Sequence, residues 1–226
     1  MRNTIILVLL IICSISCAVA QNPTGVYIAT NNNDKHLLLI ADGYITHTIF
    51  SASEYKNTQG GTYKIANNEL VVNCEFDDKN PSNIGKEHHF PIRFESETLY
   101  LDNTPFQKQA KSKQDLDGLW RITGRQNNQT VNTIKRADRK TIKLLVDGYF
   151  QWIAINPIEK GFYGTGGGKY TFQNRNYQEN ILFFSRDNNR VGATLNFSGE
   201  IKNNEWHHSG KSSKGDPIYE IWSRDN

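Results

Sequence analysis

The sequence has 226 residues, with 26 basic against 23 acidic side chains, 37% apolar and 11% aromatic residues. A charge balance this close to neutral argues against polyanion binding, so no nucleic-acid partner is expected. The apolar content is enough to build a core rather than leave the chain disordered.

The first element is an export signature. Arg2 precedes the unbroken apolar run Ile5 to Ile12, which leads through Ser14 and Ser16 to the small-residue triplet Ala18-Val19-Ala20. The run is shorter than the ~20 apolar residues a membrane span requires, and its flanks match a signal peptide. Cleavage after Ala20 leaves 226 − 20 = 206 residues with 25 basic side chains, since Arg2 is lost. The expected address is therefore secreted or periplasmic, with no integral membrane segment after cleavage. Lipid attachment at Cys17 is the lesser alternative, because Ser14 stands where a lipobox places an aliphatic residue. The mature chain keeps only Cys74, which excludes an intramolecular disulfide. Lying in the strand-like run Leu70 to Phe76, Cys74 reads as a small buried core residue.

The next elements repeat. Gly25-Val26-Tyr27 matches Gly118-Leu119-Trp120; Leu39 to Ile45 matches Leu145 to Phe150 around the turns Asp42-Gly43 and Asp147-Gly148; Gly60-Gly61-Thr62-Tyr63 matches Gly167-Gly168-Lys169-Tyr170. The offsets are 93, 105 and 107, so the second copy carries a longer first loop, Gln126 to Lys140. Between the copies, Gln107 to Gln114 is polar and cationic. The expected organisation is a signal peptide at 1–20, a first domain at 21–107, a linker at 108–114 and a second domain at 115–226. Asp-Gly between apolar runs predicts type I′ hairpins. Alternation in Phe90-Ile92-Phe94 and Ala193-Leu195-Phe197 predicts half-buried strands, and Asn-rich turns punctuate both copies. The fold class expected is all-β: two tandem up-and-down antiparallel barrels of about eight strands each, since closure removes exposed edges.

Gly118-Leu119-Trp120, with Arg224 on the last strand, resembles the lipocalin signature. The second copy, ending in Trp206-His207-His208-Ser209-Gly210-Lys211 and Ile218 to Trp222, is similar to small secreted lipocalin-like (calycin-type) proteins of Bacteroidetes-type bacteria. Gly25-Val26-Tyr27 is the weaker echo in the first copy. The resemblance implies a fold and an exported address, and no reaction. It also implies a barrel-closing structural role for Trp120 and Arg224, the guanidinium stacking on the indole.

Strand parity places Phe150 with Trp152, Tyr170 with Phe172, Leu195 with Phe197, and Trp206 with His208 on the lumen side of the second copy. Such a set makes either an apolar pocket or a filled core, because an eight-stranded barrel is just wide enough for either. The many large rings lean toward filling. As the functional expectation, Phe150, Trp152, Tyr170, Phe197, Trp206 and His208 form a ligand-binding pocket. His47 aligns with Trp152, so the first lumen should be more polar than the second and prefer a different ligand.

Catalytic and metal readings find little support. His88-His89 and His207-His208 are adjacent on strands and point to opposite faces, so neither pair converges on one metal, and no metal or cofactor is expected. Gly164 to Lys169 lacks the Lys-Ser/Thr and helix of a phosphate loop and reads as a flexible loop or bulge. His47 or His208 as a general base has no assignable partner. The expected function is non-enzymatic binding of a small apolar or amphipathic ligand. The alternative is a protein- or glycan-interaction module with packed barrels, recognising its partner through loops such as Gln126 to Lys140.

Overall fold

The computed structural model describes residues 23–127, 130–212 and 215–225. The signal peptide expected at 1–20, with Cys13 and Cys17, lies outside the described residues. Two closed antiparallel barrels follow one another along the chain. The first is β1 (Gly25–Asn31), β2 (Asp34–Ala41), β3 (Tyr44–Phe50), β4 (Tyr55–Ala66), β5 (Glu69–Asp77), β6 (Glu87–Glu95), β7 (Thr98–Leu101) and β8 (Thr104–Lys108), with β8 returning to β1.

The second uses β9 (Gly118–Asn127), β11 (Lys140–Val146), β12 (Tyr149–Asn156), β13 (Gly161–Gln173), β14 (Asn176–Phe184), β15 (Thr194–Lys202), β16 (Glu205–Lys211) and β17 (Pro217–Arg224), closed by β17 on β9. The longer loop of the second copy is partly strand: β10 (Thr130–Thr133) folds back on β9 as a hairpin outside the barrel. A bulged 3-10 turn interrupts each meander at Pro81–Asn83 and Asn188–Arg190.

Local chemistry sets the turns. Asp42 and Gly43 take φ of 48° and 70°, and Asp147 and Gly148 take 47° and 77°, the doubly positive pair that a type I′ turn requires. The Gly-Gly pairs are bulges rather than loops. The register shifts between Gly60 and Gly61 and again between Gly167 and Gly168, inside long strands. There Gly167 lies beneath the Phe183 ring and Gly60 beneath that of Phe76, while a Cβ on Gly61 or Gly168 would strike the carbonyl oxygen of Asn73 or Asn180. The glycines bend the strand without steric cost.

The barrels pack face to face. Leu37, Leu39, Ala41, Tyr44, Phe50 and Phe76 of the first meet Ile142, Leu144, Val146, Tyr149, Ile153 and Phe183 of the second in one buried cluster. At the repeat offsets these are largely the same positions twice, so the contact is isologous, like a two-fold dimer joined into one chain. Ring pairs make this concrete. Tyr55 stacks on Phe183 with centroids 6.4 Å apart, and their counterparts Phe162 and Phe76 stack at the same 6.4 Å. A polar knot lies within the interface: Gln151 donates to Thr58 Oγ1 at 3.1 Å and Thr165 Oγ1 at 3.0 Å, and accepts from Thr48 Oγ1 at 3.2 Å. Asp42 Oδ2 accepts the Leu119 amide at 2.8 Å, fixing the first hairpin to the start of β9.

This interface makes unfolding of one barrel expose the face of the other. Phe183→Ala is expected to cost about 3–5 kcal/mol and to lower a single calorimetric transition containing both barrels. Two separate transitions, only one of which moves, would contradict the coupling.

Candidate functional site

Inside the second barrel the parity set forms a packed ring cluster. Phe150, Tyr170, Phe197, Trp206 and His208 are all buried, and Trp152 is half-buried at the edge, its ring 5.5 Å from Phe184. Tyr177, which strand parity had not singled out, is the hub. Its ring centroid lies 4.9 Å from Trp206, 5.8 Å from Tyr170, 5.9 Å from Phe197 and 5.5 Å from His208.

Among these rings sits Lys143, whose Nζ is 2.9 Å from Glu179 Oε1 and 5.1 to 5.2 Å from the rings of Tyr177, Trp206 and Trp222. Tyr177 OH donates to the same carboxylate at 2.8 Å. His208 Nδ1 is 3.7 Å from Glu220 Oε2, too far for a hydrogen bond, and neither ring nitrogen has a partner among the described residues. Burial holds His208 below the usual histidine range even though Glu220 pulls it upward. For Glu220, burial alone would raise the carboxyl; His208, Lys143 and Arg125 outweigh it and hold the group at about 2.

Trp120 and Arg224 close one end. The guanidinium carbon stands 3.9 Å over the indole, Trp120 Nε1 donates to Leu116 O at 2.8 Å, and Arg224 Nη1 donates to Asp117 O at 2.6 Å. The first barrel has its own version in Lys108, whose Nζ lies 5.6 Å from the Tyr27 ring, across the equivalent β1–β8 pairing.

The first barrel contains a cavity of about 500 Å³. Its walls are Leu38, Ile45, Leu70, Val72, Phe90 and Phe106, with His36, His47, Gln59 and His88 among them, and Asn31 and Asp102 stand at the end where the β1–β2 and β7–β8 turns lie. The repeat explains why this barrel is hollow. At the offsets of 105 and 107, Phe150 is replaced by Ile45, Trp152 by His47, Tyr177 by Leu70, Ile181 by Cys74 and Trp206 by Leu99. The buried ion pair disappears too, since Lys143 and Glu179 correspond to Leu38 and Val72. Several rings' worth of volume are missing from an otherwise similar shell.

The polar groups of the cavity come from four strands, His36 from β2, His47 from β3, Gln59 from β4 and His88 from β6. His36 Nδ1 lies 3.2 Å from His47 Nε2, so the two imidazoles share one proton between them. Burial, and secondarily the neighbouring His36, lowers His47 to about 4, and burial likewise lowers His36. His88 faces the lumen with its Nε2 buried and unpartnered, while His89, one residue on, turns outward to Glu69 at 3.0 Å. Cys74 Sγ also borders the cavity and donates to Phe76 O at 3.4 Å; burial pushes the thiol up to about 11, which makes it a poor nucleophile. No group of three or more His, Cys, Asp or Glu among the described residues could hold a metal ion. His36, Gln59 and His88 were missed by sequence reading, although His36, Leu38 and Ile40 share one parity and His88 shares that of Phe90.

Neither a family model nor a curated protein matches the chain. No helix among the described residues is long and apolar enough to cross a membrane.

Breaking the Lys143–Glu179 pair leaves one charge stranded among rings. Glu179→Val alone is expected to destabilise by roughly 3–5 kcal/mol, while Lys143→Leu with Glu179→Val, the first-barrel pair of residues, should recover most of that loss. Chemical denaturation of the three variants checks this; equal losses in single and double variants would contradict it. In the first barrel, the unfolded chain takes a proton on His47 before the folded one does. Stability should therefore fall as pH drops from 6.5 toward about 4, with a smaller fall in His47→Leu, measured by thermal melts across that range.

Proposed function

We propose that this chain is an exported, lipocalin-like binding protein that holds a small apolar or amphipathic molecule in its first barrel, without catalysis. The cavity of about 500 Å³ carries this reading, since it falls inside the 300–1,000 Å³ range of small-molecule pockets and combines apolar walls with a few polar groups. Export rests on the N-terminal signature, and the lipocalin-like assignment on the Gly-x-Trp start, the stacked Trp120–Arg224 pair and the closed meander of each half. In this reading the second barrel is the stable partner. Its rings and buried ions form a core against which the hollow barrel is braced through their shared face.

The alternative, recognition of a protein or glycan through loops, has one feature in its favour. The β9–β10 hairpin projects from the second barrel with β10 exposed throughout and Val131 49% accessible. Deleting residues 128–135 separates the readings, because it should leave small-molecule binding intact.

The repeat supplies its own test of the cavity. Ile45→Phe with Leu70→Tyr puts second-barrel rings into the first lumen and should abolish binding of apolar ligands while the protein stays folded. Trp152→Ala should leave that binding unchanged. All four tryptophans are in the second barrel. A ligand in the first barrel should therefore raise the melting temperature by mass action with little quenching of tryptophan fluorescence. Strong quenching that survives the Ile45→Phe, Leu70→Tyr change would place the ligand in the second barrel instead.

A further inference from the structure

The kind of molecule the cavity accepts follows from which charges its wall lacks. Resting on the binding function proposed above, we propose that the first barrel selects uncharged amphipathic ligands, an apolar body bearing a hydroxyl, carbonyl or amide head, and rejects the corresponding carboxylates at neutral pH.

Among the described residues the cavity wall contains no lysine and no arginine, and its one formal charge is Asp102, exposed on the β7–β8 turn at the rim. The nearby cations are engaged or face elsewhere. Lys56 is paired with Glu54 on the surface, Lys35 sits on the exposed face of β2 next to His36, and Lys108 lies against Tyr27. Asp34, at the start of β2, is the charged neighbour that acts on His36. An anion entering this barrel therefore meets carboxylates at the rim and no fixed positive charge inside. Burying it there without a paired charge is strongly unfavourable.

The groups that do line the interior suit a neutral head. Gln59, solvent-exposed on β4, offers both a donor and an acceptor. His36 and His47 are occupied with each other through one ring nitrogen each, and each keeps its second nitrogen for another partner. His88 Nε2 is buried with no partner among the described residues, an unmet hydrogen bond facing the lumen side of β6. A neutral imidazole donates or accepts according to its tautomer, so a hydroxyl or amide that does both can satisfy it, whereas a carboxylate only accepts. A carboxylate could gain a partner by protonating the His36–His47 pair. Burial opposes that step, because the apolar wall favours the neutral imidazoles. The second barrel shows the opposite solution at matching positions: where Lys143 and Glu179 supply charge, the first barrel has Leu38 and Val72.

Calorimetric titration of the full mature chain with decane, 1-decanol, decanamide and decanoate at neutral pH tests the proposal. The expected order is alcohol and amide tightest, with decanoate weaker than 1-decanol by at least about tenfold. The gap should narrow toward pH 5 as decanoate becomes decanoic acid. His88→Leu should weaken 1-decanol while leaving decane unchanged, and decane binding itself shows that the variant is folded. Decanoate binding as tightly as the alcohol at neutral pH would overturn the selectivity while leaving the binding function in place. So would decane binding as tightly as 1-decanol. No binding by any of the four would overturn the selectivity together with the function on which it rests.

Discussion

The lumen of an eight-stranded barrel holds only about as much as its own side chains can fill. Everything particular to this molecule follows from how that small volume is used in two copies of one shell. In the second copy Phe150, Tyr177, Trp206 and Trp222 fill it, and the remaining space is closed by Lys143 paired with Glu179 and by Glu220, which accepts from Arg125 and Trp222. In the first copy Ile45, Leu70 and Leu99 stand at corresponding places, and the lumen stays open. A few ring-for-aliphatic exchanges thus separate a core from a pocket without altering strand number, turn chemistry or closure.

A hollow barrel forfeits the dispersion contacts and apolar burial that a filled one gains. The isologous face between the copies compensates in part. It gives β2, β3 and β4 of the first barrel a second buried surface on their outer side, so the strands that wall the cavity are held from outside. The crossed pairs Tyr55–Phe183 and Phe76–Phe162 show that both copies use this face in the same way. The polar knot around Gln151 gives the contact a fixed register, because a shift would break the bonds of Gln151 to Thr48 and Thr58 and leave part of its buried amide unpaired.

Much of the fold could be read from residues alone because its determinants are local. Asp42-Gly43 and Asp147-Gly148 fix hairpins, and the three-segment repeat announces two similar halves. The approach of Trp120 and Arg224 was legible through resemblance. The barrel–barrel face was not read, although Leu37-Leu38-Leu39-Ile40-Ala41 and, apart from Lys143, Ile142 to Val146 are apolar on both parities, a sign that both faces of a strand are buried. Which lumen is open was harder. Parity says which residues face inward but not whether they fill the space, and the comparison needs the exact register past each bulge. Only the His47–Trp152 correspondence hinted at it. Lys143 was invisible to any rule that treats lysine as a surface residue, and its place became clear only with Glu179 and four rings around it.

The asymmetry between the two interiors is open to direct observation by crystallography under xenon pressure, since xenon enters dry apolar cavities and leaves packed cores empty. Xenon density is expected between Leu38, Leu70 and Phe90 in the first barrel and none among Phe150, Tyr177 and Trp206 in the second. Xenon in both interiors, or only in the second, would contradict it.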